Sequence, residues 1–312
     1  MLDLSLIGVR FALYGVLAAL FGLTAFSLYG LRRSERGAAL ALWRWLVGSA
    51  ILGLLLSLGW LVLMASSMAG TPAWPIDREA IDGLLTAAAV GAAWKVRVVA
   101  LVIAAGAAML AAMFAAGRSL GLWLVMLASA VAISTLAWTG HGAMDEGARG
   151  WVHLAADILH LIAGGAWIGA LLGLILLVSR PAARIDAAHL VLTHRALHGF
   201  GVVGTILVGT IVATGLVDGW MLVGLGKVSA LATTLYGRLL LAKLALFVAM
   251  LGLASLNRYR LTPAFERSIA SADHRGVLGA LRASIAVESV CGVTILGLVA
   301  WLGTLAPPAS GI

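Results

Sequence analysis

Charged side chains are scarce in this sequence. Asp, Glu, Lys and Arg make up 11% of its 312 residues, against about 25% in a soluble domain. With 62% hydrophobic residues and a mean hydropathy of +1.07, that scarcity excludes an ordinary soluble fold. Cysteine is scarcer still. Cys291 stands alone, so neither an intramolecular disulfide nor a CxxC metal or redox motif can form. Set in an apolar run, it reads as a small core residue. The chain lacks a glycine-rich phosphate loop and any basic stretch interleaved with aromatics. Nucleotides and nucleic acids are therefore poor partners. The net charge of +8 reflects Lys and Arg in loops beside apolar runs.

What is present is a series of long apolar runs, at about 8–31, 43–68, 91–116, 120–139, 151–179, 199–217, 238–256 and 283–305. Each is close to the ~20 residues that a helix needs to cross a hydrocarbon core of about 30 Å. The runs are continuous rather than alternating in polarity, which argues against a closed barrel. The expected fold is all-α: a polytopic membrane helical bundle of about eight transmembrane helices, one integral-membrane domain over 1–312. The N-terminus does not look like a cleaved signal. Asp3 replaces the usual basic start, and the run from Phe11 to Leu31 is too long for a signal core. Segments 32–44, 117–119, 180–198 and 257–282 hold thirteen arginines, whereas the opposite loops hold Arg78, Arg149 and Lys227. The arginine-rich side is predicted to be cytoplasmic, with both termini on the periplasmic side. Loop 69–90, with Pro72, Pro75, Asp77, Glu79 and Asp82, is too short for a core of its own. Gly164, Gly165 and Gly169 predict close packing of the fifth span on a neighbour.

The fifth span also carries His153, Asp157 and His160. Their i, i+4, i+7 spacing places them within roughly a 60° arc of one helix face. Polar groups cost free energy in hydrocarbon, so such a stripe usually has a task. It could hold a metal, a proton or a haem iron, or serve as a structural hydrogen-bond network. His141 and Met144, in the connection before this span, are expected to gather with it at the outer end. Met64 and Met68 share a face at the outer end of the second span, and Met221 lies in another outer loop. Imidazole, carboxylate and thioether together suit copper, with His and Asp favouring Cu(II) and Met favouring Cu(I). Ordinary packing is the alternative for the methionines.

Four cations, Lys95, Arg97, Arg238 and Lys243, open the third and seventh spans on the outer side. They are expected to snorkel to headgroups or pair with Asp77, Glu79, Asp82 or Asp218. Toward the inner side, Glu288 and Asn257 suggest either an exit for a cation or a polar contact between helices. His194 and His198 read as a solvated helix end, with a second metal pair as the alternative.

At these residues the chain resembles the copper resistance D family of bacterial inner-membrane proteins. The matching segments are TGHG at 139–142, ADILHLIAGGAWIGAL at 156–171 and TGLVDGW at 214–220. TLYGRLLLAKLALFVAMLGLASLNRYRLTP at 234–263 and ESVCGVTILGLVAWLGTLAPP at 288–308 complete them. The likeness covers most of the chain and is weakest over the first three spans. It implies an eight-helix protein of copper homeostasis, not an enzyme, in the bacterial inner (plasma) membrane. It further implies copper movement from periplasm to cytoplasm, beside a separate periplasmic copper-binding β-sandwich partner. The family's metal histidines map onto His141, His153 and His160, with Asp157 beside them.

Copper import needs no nucleotide in principle. A cation of charge z gains about 2.3z kcal/mol per 100 mV on entering a negative interior. Two other readings stay open. One is a haem b electron-transfer protein, although two histidines seven residues apart on one helix are badly placed to ligate both faces of one haem. The other is a non-transporting copper sensor or assembly factor.

Overall fold

The computed structural model describes residues 4–36, 40–114, 117–139, 147–181, 185–224, 229–270 and 275–308. Among them there are eleven α-helices and no strand. They are α1 (Leu4–Gly30), α2 (Leu42–Ala69), α3 (Arg78–Ala87), α4 (Ala89–Met113), α5 (Arg118–Ser134), α6 (Gly147–Val178), α7 (Ala187–Val223), α8 (Ala230–Thr233), α9 (Leu235–Leu256), α10 (Thr262–Ala270) and α11 (Arg275–Leu302). A 3₁₀ turn, Thr135–Thr139, prolongs α5, and a π turn, Asn257–Leu261, joins α9 to α10.

Eight of these segments are long and apolar enough to cross a membrane. They fall on the eight expected runs. Several reach further: α7 begins at Ala187, whereas the apolar run is placed from about residue 199. His194 and His198 thus lie two to three turns inside α7, with their ring centroids 6.3 Å apart. His194 also faces Glu266 of α10 at 3.8 Å. The early start is set by Asp186, whose carboxylate caps the helix by accepting from the His189 N–H.

The loop between α2 and α4 also differs from expectation, because it contains α3. Asp77 caps this helix by accepting from the Ala80 N–H. Leu84 turns inward onto Leu61 and Ala65 of α2.

Alternate spans run in opposite directions, which defines two ends. The His153 end holds the start of α1 and the end of α11. The Arg195 end holds Glu35, Arg180, Arg258 and Arg282.

Helix α1 is the hub, packing on α2, α5, α6, α7 and α11. Glycine sets its closest approach. A methyl group on Gly22 of α1, or on Gly169 of α6, would overlap the facing helix backbone. Gly165 faces Ala18 and Ile133 in the same contact, whereas Gly164 faces open space. Small residues thus let two helices touch where hydrocarbon supplies no hydrophobic drive of its own.

Candidate metal centre in the membrane

Helix α6 presents His153, Asp157 and His160 on one face, as its period requires. A fourth residue joins them from α7. Ligand atoms of His153, Asp157 and Asp218 all lie within 4.8 Å of one another. His153 is 1% exposed, while both carboxylates are half-buried. His160 stands one turn deeper, its Nδ1 3.9 Å from Asp218 Oδ2. Asp218 Oδ1 is buried and has no hydrogen-bond partner among the described residues. An orphaned carboxylate oxygen beside two imidazoles is an open place for a cation.

Thr214 fixes the orientation of His160. Its hydroxyl donates to the Thr210 carbonyl over 2.7 Å, one helical turn back. Its single proton is then committed, so at the 2.9 Å contact with His160 Nδ1 the Thr214 oxygen accepts. His160 is therefore assigned as the Nδ1–H tautomer, with the lone pair on Nε2. Metal-binding imidazoles are commonly held this way, one nitrogen donating to a neighbour and the other ligating.

Electrostatics around the cluster are mixed. Lys243, and Tyr236 near the start of α9, both lie within electrostatic range of Asp157 and Asp218. Two carboxyl groups and one amine thus share this pocket with the imidazoles. The expected Lys243–Asp218 partnership is not a bonded ion pair among the described residues.

Arg97 departs from expectation. It is 0% exposed, and among the described residues it makes no carboxylate pair and its three guanidinium nitrogens have no hydrogen-bond partner. Its guanidinium lies over the Trp60 ring at 5.1 Å instead, a cation–π contact.

Of the other site residues read from the sequence, His141 and Met144 lie outside the described residues. Met64 packs partly buried against Leu61, Ala65 and Leu84 beneath α3. Met68 is 65% exposed. Their helix packs on α1, α3 and α4. Asp218 was named in the sequence only as a partner for cations. The sequence carried a partial signal: Thr214 and Asp218 are i, i+4 and so share one helix face.

A second polar group lies toward the Arg195 end. Glu288 of α11 is 1% exposed. One of its oxygens accepts from Trp167 Nε1 at 3.0 Å, and the other accepts from Asn257 Nδ2 at 3.1 Å. The Glu288–Asn257 contact is thus a polar link between helices. Trp167 was missed in the sequence, although an indole N–H in hydrocarbon needs an acceptor.

Fold and cluster define a class: a multi-pass helical membrane protein with a His/Asp cluster, a candidate cation site, within its spans. Comparison with known proteins gives the family. Residues 1–151 match the family description "Copper resistance protein D-like, N-terminal domain", and residues 194–302 match "Copper resistance protein D". The chain is 44% identical over 303 residues to "Copper resistance protein D" of Pseudomonas syringae pv. tomato, covering 96% of each chain. It is 32% identical over 121 residues to "Copper transport protein CutJ" of Bacillus subtilis (strain 168), covering 39% of this chain and 21% of that one. "Inner membrane protein YebZ" of Escherichia coli (strain K12) is 28% identical over 190 residues, 61% of each. No solved structure matches. The chain belongs to the copper resistance protein D family.

Proposed function

We propose that this protein carries copper ions across the bacterial inner membrane, from periplasm to cytoplasm, without acting as an enzyme. The observation that carries the reading is the cluster of His153, Asp157 and Asp218, with His160 one turn below. The positive-inside rule supports the orientation, because the Arg195 end holds most of the arginines. Copper then enters from the periplasmic face near His153. His141 and Met144, which precede α6 in sequence, are further candidate donors, and a separate periplasmic copper-binding protein is its source.

Nitrogen and carboxylate oxygen suit Cu(II) better than Cu(I). The two carboxylates offset the ion's charge, and the lone pair on His160 Nε2 is free of the Thr214 bond. Entry into a negative interior is downhill by about 2.3 kcal/mol per charge per 100 mV, so inward movement needs no nucleotide.

The test is copper content, with a visible spectrum, of the purified protein beside a His153→Ala/His160→Ala double variant. Bound copper in the wild type and its loss in the variant support the reading. A Soret band in place of copper would transfer these histidines to haem.

A further inference from the structure

A cavity of about 300 Å³ opens between α6, α7, α9 and α11 toward the Arg195 end. Its floor includes Glu288, Asn257 and Trp167, and exposed Thr205, Ser255, Arg258 and Tyr259 stand at its rim. The floor holds an unexplained atom. Asn257 is 9% exposed, yet its Oδ1 has no hydrogen-bond partner among the described residues. Its position is set by the π turn that begins at Asn257, a local irregularity often found at functional sites.

The donor set discriminates between ligands. It consists of one carboxylate and one amide oxygen, which is poor for soft Cu(I). Hard metal ions take six or more oxygens, and two neutral N–H donors already occupy a site on each Glu288 oxygen. A proton needs only one lone pair. The ionised carboxylate is held by the N–H groups of Trp167 and Asn257. On protonation, Glu288 gains an O–H that needs an acceptor. Turning the Asn257 amide over supplies one, because Oδ1 then accepts where Nδ2 had donated. The same side chain thus serves both states, donating through Nδ2 in one and accepting through Oδ1 in the other.

We propose that Glu288 is a proton-binding site reached through this cavity, and that its proton is the coupling ion of the copper movement proposed above. The coupling rests on that transport reading; the proton site stands without it. Water in the cavity delivers the proton to a Glu288 oxygen and receives it again on release. Arg258 and Tyr259 of the π turn are the only other ionisable side chains lining the cavity among the described residues; α6, α7, α9 and α10 contribute none. Arg258 is itself engaged, bonded to Thr205 and lying over the Tyr259 ring at 5.3 Å. Helix α6 links the two sites. Trp167 lies two turns below His160 on the same face, about 10 Å along the axis. A change at the Glu288 bond to Trp167 therefore bears on the helix that carries the copper cluster.

The experiment is an infrared pH titration of the full-length, copper-free protein in lipid vesicles. A carboxylic acid C=O band is expected to grow as pH falls. It should persist in Asp157→Asn/Asp218→Asn and vanish in Glu288→Gln. Trp167→Phe removes a donor to the ionised form, so the midpoint of this band should rise by about one pH unit. That variant also serves if Glu288→Gln does not fold. An unchanged band in Glu288→Gln, or an unmoved midpoint in Trp167→Phe, would overturn the proton site. For the coupling, an imposed pH gradient should change copper uptake by wild-type vesicles, and Glu288→Gln should lose about tenfold of that response while binding copper within twofold of wild type. An undiminished response would overturn the coupling. A wild type that takes up no copper would overturn the transport reading and the coupling, and the infrared band would still read the proton site.

Discussion

His160 Nδ1 and Thr214 Oγ1 meet at 2.9 Å across the α6–α7 contact, and the threonine proton points away to Thr210. This pair fixes the imidazole tautomer and leaves Nε2 for a metal. Thr214→Val keeps the shape and removes the acceptor. Copper affinity, read by competition with a chelator, should fall about tenfold, the usual cost of losing a partner behind a ligand. Thr214→Ser should retain wild-type affinity.

Asp218 and Asp157 supply the negative charge of the cluster. Asp218→Asn and Asp157→Asn should each weaken copper binding about tenfold or more in the same assay. If these carboxylates serve helix packing alone, thermal stability will fall in the variants and copper affinity will not.

The two methionines of α2 offer a contrast. His160→Ala should weaken copper binding far more than Met64→Ala, because water replaces an imidazole poorly inside the membrane. Met64 packs against α3 and Met68 faces outward, so Met68→Leu should leave affinity within twofold. Equal and negligible effects of His160→Ala and Met64→Ala would remove the site from α6.

Glycine at the α1–α6 crossing is open to a stability test. Gly22→Val or Gly169→Val places a side chain where the facing backbone lies. Either should sharply lower the yield of folded protein and its melting temperature, whereas Gly164→Ala, which faces open space, should be neutral.

Glu35 joins the loop after α1 to Arg195 of α7, accepting from the guanidinium at 2.5 Å. Partial burial acts to raise its carboxyl pKa, but the bonds from Arg195 and the Arg32 N–H outweigh it, so the group titrates below its ordinary value. A depressed folded-state pKa contributes stability above the unfolded pKa, lost as pH falls through the folded one. The half-exposed setting limits the contribution to about 1 kcal/mol or less. Glu35→Gln should lower the melting temperature slightly at neutral pH and converge with wild type in acid.

The eight spans were legible because their apolar runs are long and bounded by arginine. Helices α3 and α10 were not, since their short amphipathic patterns are interrupted by charge and resemble loops. The stripe of His153, Asp157 and His160 followed directly from helical period. Asp218 did not, because its closeness depends on how α7 crosses α6, and that crossing is not a local property. Arg97 shows the same limit. Its charge suggested a carboxylate partner, whereas packing put the Trp60 ring beside it.

The most direct test of copper import is uptake into vesicles of known orientation, with an inside-negative potential and no nucleotide. Wild-type protein should accumulate copper faster than protein-free vesicles, and the His153→Ala/His160→Ala variant should fall to the protein-free rate. Copper binding by the wild type with no uptake above that rate would contradict transport and leave a protein that holds copper without moving it.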